Sequence, residues 1–418
     1  MCLSDFSKRR KSLLSTLLFI VKFRRQAQRI SQRNGRYTSA RRAARAANRH
    51  ADREFGLRQM TEMSDYEFQR HFRMTRRGFN ELLGLVAIDI TVNEDMASRS
   101  SGSSVSATTR IAVTLRWLAG GSYLDIARLY GISELNFFNQ KHGILWKTIA
   151  AIDRRLQLGF SVDPEKLERT ALEFSNYSHG RMTHCVMAID GWVMKTRQPT
   201  PAEVGNCVSS YRNRKNCWGI VVMAGCDANL RFTLFSANSS GSTHDSVALE
   251  FTQFKQLLDN GILPPQYYII GDEAFSNSQQ LLVPWSGTGI GDWKDSFNYH
   301  LSSMRQCIER AFGLLTKRWG IFWRPLSCQF NKWATVATVC AKLHNFCVDR
   351  NIAITARAPC DNQPLDEWVV LDNDSSTEGV DYVVRPRPTG DRRRLITAML
   401  ENDGIRRPHY AQVNSRAN

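Results

Sequence analysis

Near-continuous apolar runs alternate with helical periodicity between residues 175 and 350. Four of the runs are typical of strands: "HCVMAI", "GIVVMAG", "FTLFSA" and "YYII". Strands that are apolar on both faces belong in the centre of a covered sheet. One helix is predicted between the third and fourth runs and another after the fourth. The resulting order, strand, strand, strand, helix, strand, helix, predicts an α/β domain.

The last predicted helix of this region carries an apolar stripe with helical spacing. The stripe consists of Met304, Ile308, Ala311, Phe312, Leu315 and Trp319. Gln306, Arg310 and Lys317 line the opposite face, and Glu309 lies on the border between the two faces. A helix that docks on the sheet through this stripe can therefore turn the Glu309 carboxylate toward the strand ends.

Residues 61–160 are predicted to be helical, with a Ser-rich break, "SRSSGSSVSATT", between two halves. Further along, Ser122 and Ser133 are predicted N-caps of two short helices, with Gly131 in the turn between them. This pattern is typical of a helix-turn-helix motif. It predicts that four side chains face the major groove of DNA: Asn136, Asn139, Gln140 and Lys141. A plain helical hairpin fits the same residues, and Glu134 beside them would repel phosphate.

The charge of the chain is strongly basic and unevenly distributed. The 418 residues carry a formal net charge of +17, and 42% of them are hydrophobic, as in globular proteins. Residues 1–60 contain 16 Lys and Arg against 3 Asp and Glu, a net +13. Residues 1–60 are therefore predicted to form a basic arm that is flexible or becomes helical on DNA. Its charge indicates an anionic partner, either nucleic acid or an acidic membrane surface. Residues 353–418 are predicted to be a polar tail with one short helix in "DRRRLITAMLENDG".

The cysteines and the first apolar segment bear on the compartment. Ten cysteines occur without a C-x-x-C pair, several of them inside apolar runs, which indicates reduced thiols in a cytosolic or nuclear protein. The segment "SLLSTLLFIV" at residues 12–21 is too short to span a bilayer, and "KFRRQAQR" follows it where a secretory cleavage site would lie. We therefore interpret it as part of the arm and expect no membrane association.

Two of the apolar runs lead directly to an aspartate, Asp190 in "AIDGW" and Asp272 in "IIGDEAF". Together with Glu309 they would present three carboxylates where neighbouring strands end. Hard cations such as Mg²⁺ prefer oxygen ligands, and two such ions about 3.5–4 Å apart catalyse phosphoryl transfer. The three carboxylates therefore predict a divalent-metal site that acts on phosphodiesters. Without metal, they should repel one another and raise each other's pKa.

Other polar residues allow more than one interpretation. Glu273 alternates to the side of its strand opposite Asp272, and His244 and Asp245 are explained by helix capping, so none of the three is predicted as a ligand. A zinc site is the alternative for three residues on one helical face: Cys340, His344 and Cys347. Their apolar neighbours favour core packing instead.

Basic side chains near the acidic residues are predicted to contact DNA phosphates. They lie in the loop before the second strand and on the polar face of the last helix: Arg212, Arg214, Lys215, Arg310 and Lys317. An ordinary solvated loop is the alternative for the first three.

Six motifs occur in the order in which one known family has them. They are "AIDGWVMK", "YRNRKNCWGIVVMAGCD", "SGSTHDS", "YIIGDEAF", the helix with Glu309, and "KLHNFC". Together they resemble the DDE nuclease domain of PIF/Harbinger transposases and of host proteins derived from them, over about residues 175–350. The resemblance implies an RNase H-like core, a mixed sheet flanked by helices, after an all-helical region with a helix-turn-helix. It also implies a catalytic triad of Asp190, Asp272 and Glu309 with Mg²⁺ or Mn²⁺ as cofactor.

The resemblance further implies a nuclear enzyme that cuts double-stranded DNA at terminal inverted repeats and joins the ends to a target site. A separate Myb-like DNA-binding protein, which such relatives often use, is a further partner that the resemblance implies, and a homo-oligomer is compatible with it. The alternative is a DNA-binding nuclear factor that kept the fold and lost transposition. We expect the enzyme, because three mutually repelling carboxylates cost stability unless a metal uses them.

Overall fold

The computed structural model describes residues 48–49, 51–91, 104–139, 143–354 and 391–408. The part before residue 160 is entirely helical within these ranges. Its helices are α1 (residues 51–62), α2 (Asp65–Phe72), α3 (Arg76–Ile90), α4 (Ala107–Leu118), α5 (Tyr123–Leu129), α6 (Glu134–Phe138) and α7 (Ile144–Arg155).

Strands and helices then alternate. The elements are α8 (Pro164–Tyr177), β1 (Cys185–Lys195), α9 (Pro201–Val204), β2 (Gly219–Cys226), β3 (Phe232–Ser240), α10 (Asp245–Glu250), α11 (Gln253–Asp259), β4 (Tyr268–Ile270), β5 (Leu281–Leu282), α12 (Asp292–Arg318), α13 (Trp333–Val348) and α14 (Arg392–Asn402). The predicted order of three strands, a helical segment, a strand and the Glu309 helix is confirmed. The structure adds β5 and the short helix α9 between β1 and β2, and it splits the helical segment into α10 and α11.

The described strands form one five-stranded sheet in the order β3-β2-β1-β4-β5. β1 pairs antiparallel with β2 and parallel with β4, β2 pairs antiparallel with β3, and β4 pairs parallel with β5. β1 therefore lies at the centre, where its apolar sequence predicted it. The predicted mixed sheet flanked by helices, after a helical N-terminal region, is confirmed.

Helices cover both faces of the sheet, and the two faces alternate along β1. Ala188 packs in the core that contains α12 and α13, whereas Met187 and Ile189 pack in the core that contains α8, α10 and α11. Successive side chains of a strand point to opposite faces. Asp190 therefore faces the α12 side of β1, and Gly191 faces the α10 side.

The N-terminal helices share the first of these cores. Buried side chains from α2 to α7 belong to the same apolar cluster as those of α12 and α13. The predicted arm also has a folded end, because residues 51–60 lie in α1, where Arg53 is buried and Gly56 is in close contact with Leu129 and Tyr130. The preceding residues of the arm up to 47 lie outside the described ranges.

The tail helix α14 docks on the edge of the sheet that carries β4 and β5. Arg392 is buried and donates hydrogen bonds to the carbonyls of Tyr267, at 2.7 Å, and Pro265, directly before β4. Arg393 lies over the Trp285 ring, with its guanidinium carbon 3.8 Å from the ring centroid. The predicted short helix of the tail is thus present and holds the start of β4.

Two further expectations concern membranes and thiols. In the ranges given above, no helix is both long enough and apolar enough to cross a membrane. The eight cysteines in those ranges are free, and five of them are buried. The segment at residues 12–21 lies outside the described residues.

Candidate metal centre

The register of β1 and β4 brings two aspartates together. Ala188 of β1 pairs with Ile270 of β4, and this is the last pair of the two strands. Asp190 lies two residues after Ala188, and Asp272 lies two residues after Ile270. The two aspartates therefore lie side by side where the parallel pairing ends. The sequence placed Asp190 at the end of its strand, which is wrong, because pairing with β2 continues β1 to Lys195.

A third aspartate reaches the same place from the first residue of α10. Asp245 lies against Gly191, where a Cβ atom at residue 191 would overlap its carboxylate. His244 is the N-cap of α10, but it makes no side-chain capping bond. The Asp245 side chain is instead available to the other two aspartates.

One oxygen from each of Asp190, Asp245 and Asp272 lies within 4.8 Å of the other two. Oxygen ligands bind Mg²⁺ at about 2.1 Å and Ca²⁺ at about 2.4 Å, so two ligands of one ion are at most about 4.8 Å apart. Three carboxylate oxygens at this spacing therefore fit a divalent cation that prefers oxygen. No other group of three or more such side chains converges in the described part of the chain.

Burial and mutual repulsion make this cluster costly without a cation. Burial raises the pKa of Asp190 to about 6, and the negative charges of Asp272 and Asp245 contribute to the rise. The backbone N–H of Gly191, which donates to Asp190 Oδ1 at 2.8 Å, and the Arg305 guanidinium partly offset this rise. Burial, followed by the charge of Asp272, likewise raises the pKa of Asp245. A bound cation would favour the ionised form of Asp190 and Asp245.

Asp272 is positioned by the turn that follows β4. Its Oδ1 accepts a hydrogen bond from the Ala274 N–H at 3.0 Å, and its carbonyl accepts one from Phe275. Glu273, next to it, is exposed. The acidic pair that ends "YYIIGDE" thus divides into one half-buried carboxylate in the cluster and one in solvent.

Glu309 lies on α12 outside the group of three oxygens. Its carboxylate is half exposed and forms an ion pair of 2.7 Å with Arg305, one turn earlier on the helix. The same Arg305 contacts Asp190 at 3.2 Å. The structure therefore connects Glu309 to Asp190 through a guanidinium, and the role of Glu309 as a metal ligand stays a prediction. The apolar stripe predicted for its helix is buried throughout.

The basic loop before β2 is exposed. Arg212, Arg214 and Lys215 all face solvent, and Arg212 lies over the Trp218 ring. Arg214 is close enough to Asp245 for its positive charge to lower the pKa of that carboxyl. This loop therefore places a long cationic side chain beside the carboxylate cluster.

The two predicted phosphate contacts on α12 are half-buried. Arg310 lies close to Tyr177 of α8. Burial raises the pKa of the Tyr177 phenol, and the positive charge of Arg310 partly offsets this rise. Lys317 is half-buried near the end of the helix. Contact of Arg310 and Lys317 with DNA stays a prediction.

The predicted helix-turn-helix consists of α5 and α6. Gly131 has the left-handed conformation expected for the turn, and Ser133 caps α6 by accepting the Asn136 N–H, whereas Ser122 makes no side-chain capping bond. α6 has five residues; Asn136 is exposed on it and Asn139 is its C-cap. Gln140 and Lys141 lie outside the described residues. Reading of DNA by this hairpin stays a prediction.

The zinc alternative does not fit the structure. His344 is fully buried and its Nε2 lies 2.9 Å from the Leu230 carbonyl, and burial lowers its pKa to about 3. Cys340 and Cys347 are buried on the same helix, where burial raises the pKa of both thiols. The three residues pack the core, as the apolar sequence around them predicted.

A mixed α/β domain with three converging carboxylates at its central strand defines the class of protein. Residues 189–345 match the family described as DDE superfamily endonuclease. This segment is therefore similar to a DDE superfamily endonuclease domain, and the resemblance to a DDE nuclease domain that the motifs predicted is confirmed. Asp190, Asp245, Asp272 and Glu309 all lie within the matched segment.

A curated relative extends the similarity beyond this segment. The chain is 26% identical to Protein ALP1-like from Arabidopsis thaliana over 317 residues, which cover 72% of this chain and 74% of that protein. No solved structure matches the chain.

Asp245 is the residue that the sequence interpretation missed. It stands first in a helix, where an acidic residue is favoured by the helix dipole whether or not it binds metal. The glycine after Asp190 was the available clue, since a residue without a side chain on a central strand allows another group to approach.

Proposed function

We propose that the chain is a metal-dependent nuclease of transposase origin, of the PIF/Harbinger type, that cuts phosphodiester bonds in double-stranded DNA. The observation that carries the proposal is the convergence of the Asp190, Asp245 and Asp272 oxygens within 4.8 Å, inside a segment that matches a DDE endonuclease family. Three acidic groups from β1, α10 and the turn after β4 are brought to one point although burial and repulsion oppose it.

The donor set favours Mg²⁺ or Mn²⁺, because all the ligands are carboxylates and no His or Cys joins the group of three. In this proposal Asp190, Asp245 and Asp272 hold the ions, and Glu309 is the further carboxylate of an Asp-Asp-Glu triad. When bound, a pair of such ions activates the attacking water or 3′-hydroxyl and stabilises the leaving oxygen. The strand order, with β1 central between an antiparallel and a parallel neighbour, supports an RNase H-like core for this chemistry.

Exposed basic side chains would hold the DNA beside the carboxylates. Arg214 is suited to this role, because it already lies within electrostatic reach of Asp245 and extends from a solvent-exposed loop. Arg212 and Lys215 in the same loop would contact neighbouring phosphates. Location in the nucleus and a Myb-like partner belong to the same proposal; imaging of the tagged chain and co-purification with the candidate partner test them.

The experiment is nicking of supercoiled plasmid by the full chain with Mg²⁺, with Mn²⁺ and with EDTA. We expect metal-dependent nicking that is lost in Asp190→Asn, Asp272→Asn and Asp245→Asn, and greatly reduced in Glu309→Gln. Glu273→Gln is the matched control, because Glu273 is the exposed neighbour of Asp272, and it should nick like the wild type.

Two outcomes would overturn the proposal. Nicking that survives all of the aspartate substitutions would place the activity elsewhere or in a contaminant. A folded wild type that binds DNA but nicks under none of the metal conditions would favour a DNA-binding factor that has lost the reaction.

A further inference from the structure

A single arginine engages the metal centre from α12. Arg305 Nη1 lies 3.2 Å from Asp190 Oδ2, and Nη2 lies 2.7 Å from Glu309 Oε1. The side chain is largely buried, at 22% exposed, as is that of Asp190, at 19%. The two carboxylates that it joins come from different elements, the central strand and α12.

These contacts occupy the oxygens of Asp190. Oδ1 accepts the backbone N–H of Gly191 at 2.8 Å, and Oδ2 accepts Arg305. Each carboxylate oxygen has two lone pairs, and a charge-assisted hydrogen bond from a guanidinium is roughly twice as strong as a bond between neutral groups. A cation that approaches Asp190 from the side of Asp245 and Asp272 therefore competes with Arg305 for the same carboxylate.

The same guanidinium also accounts for the position of Glu309. Arg305 and Glu309 are four residues apart on one helix, the spacing at which opposite charges pair across a turn. While that pair is intact, Glu309 is half exposed and lies outside the group formed by Asp190, Asp245 and Asp272. Release of Arg305 would free both carboxylates at once.

We propose that Arg305 is a positioning residue that takes the place of the cation between Asp190 and Glu309 in the metal-free protein and must leave Asp190 when a divalent ion binds. This inference rests on the proposed function, in that it requires the centre to bind such an ion. Arg305 then has two opposite effects: it stabilises the metal-free fold by neutralising buried negative charge, and it lowers the affinity of the centre for metal.

The test compares the full chain with Arg305→Met and Arg305→Lys. Met keeps much of the apolar stem of the side chain without charge, and Lys keeps the charge but not the fork that bridges two carboxylates. Binding of Mn²⁺ is measured by isothermal titration calorimetry, and the melting temperature is measured in EDTA. Neither readout requires nuclease activity.

We expect Arg305→Met to bind Mn²⁺ roughly tenfold more tightly, the effect of losing one competing charge-assisted hydrogen bond, and to melt at a lower temperature in EDTA. Arg305→Lys should lie between the wild type and the Met variant in both measurements. Lys294→Met removes one exposed charge from the same helix, 11 residues or about 16 Å away along its axis, and should leave the Mn²⁺ affinity unchanged.

Equal or weaker Mn²⁺ binding by Arg305→Met, with the wild type binding normally, would overturn the inference and leave the proposed function intact. An Arg305→Lys affinity equal to that of the wild type would show that charge alone matters, and would overturn displacement from Asp190. If Arg305→Met does not fold, the comparison of Mn²⁺ affinity between Arg305→Lys and the wild type decides whether the inference stands. Absence of Mn²⁺ binding in all variants and the wild type would instead refute the proposed function itself.

Discussion

The missing side chain of Gly191 is what allows the third aspartate to approach the other two. Asp190 and Gly191 are adjacent on β1, so they face opposite sides of the sheet. Asp190 meets Arg305 of α12 on one side, and the Asp245 carboxylate rests on Gly191 on the other. The geometry of the centre thus depends on an aspartate followed directly by a residue without Cβ.

Gly191→Ala should therefore weaken metal binding without unfolding the protein. The added Cβ would lie less than 3.0 Å from Asp245 Oδ1, so the carboxylate must move. We expect Mn²⁺ affinity to fall by roughly tenfold to a hundredfold, as when groups that orient metal ligands are altered. Calorimetric titration with Mn²⁺ measures the change.

Gly313→Ala on α12 is the control, because a Cβ there has nothing within 4 Å. It should leave Mn²⁺ affinity unchanged and stabilise the helix by about 0.5–1 kcal/mol. Normal metal binding in Gly191→Ala would show that Asp245 is not a ligand.

The raised pKa of Asp190 predicts how stability depends on pH without metal. In the unfolded chain this carboxyl ionises near 3.8, whereas in the folded protein its pKa is about 6. Between these values the folded state binds more protons, so the free energy of unfolding falls as pH rises. The decrease reaches at most about 3 kcal/mol and is complete above about pH 6 to 7, since one pKa unit corresponds to about 1.4 kcal/mol.

Asp190→Asn removes this titration, and thermal unfolding in EDTA from about pH 4 to 8 measures the result. The melting temperature of the wild type should fall relative to that of the variant as pH rises through about 4 to 6. Comparison of the two proteins removes the contribution that other groups with a raised pKa, such as Asp227, make to the pH dependence of stability. A difference that is constant with pH would contradict the raised pKa of Asp190.

At the scale of elements, α14 fixes the strand that carries Asp272. Arg392 inserts its guanidinium among the carbonyls before β4, and Trp285 Nε1 donates to Thr397 at 3.1 Å. β4 has only three residues, so its pairing with β1 and β5 is short. A helix that lies more than 100 residues later in the sequence thereby supports the metal centre.

Arg392→Met should destabilise the protein by roughly 2–3 kcal/mol, because the buried carbonyl of Tyr267 loses its charged donor. Urea unfolding measures the change, and hydrogen exchange of Tyr268 to Ile270 should locate it at β4. Arg394→Met is the matched control: Arg394 is 78% exposed and pairs with Asp391 at 3.6 Å, so its removal should cost less than about 0.5 kcal/mol. Equal effects of the two substitutions would mean that α14 does not support β4 through Arg392.

Elements with a strong apolar pattern could be predicted from the sequence, and the ligand set only in part. The apolar run before Asp190 predicts a buried central strand, and the apolar stripe of α12 predicts a helix that docks on the sheet. Asp245 could not be distinguished from a helix-capping residue, because both roles place an acid in a first turn. The Arg305 contacts could not be predicted either, since they depend on how α12 is rotated against β1.

At the scale of the whole molecule, the excess positive charge lies mainly at the N-terminus. Residues 1–47 hold 13 Lys and Arg and 1 Asp, a net +12 out of +17. The acidic centre and the basic loop before β2 lie in the α/β domain. If the proposed function is correct, most of the nonspecific attraction for DNA comes from the arm and the chemistry from the α/β domain.

Deletion of residues 1–47, which keeps α1 intact, should weaken binding to duplex DNA and make it less sensitive to salt. Removal of one interaction between a basic side chain and a phosphate should reduce the slope of log affinity against log salt by about 0.9. Fluorescence anisotropy with a labelled duplex between about 50 and 200 mM salt measures both quantities. An unchanged slope would show that the arm serves another partner.

The most direct test of the central claim is to locate the metal. A crystal of the full chain grown without metal and soaked in Mn²⁺ should show an anomalous peak between the carboxylates of Asp190, Asp245 and Asp272, with Arg305 moved away from Asp190. A peak at another site, or an intact contact between Arg305 and Asp190 with no peak beside the three aspartates, would contradict the account.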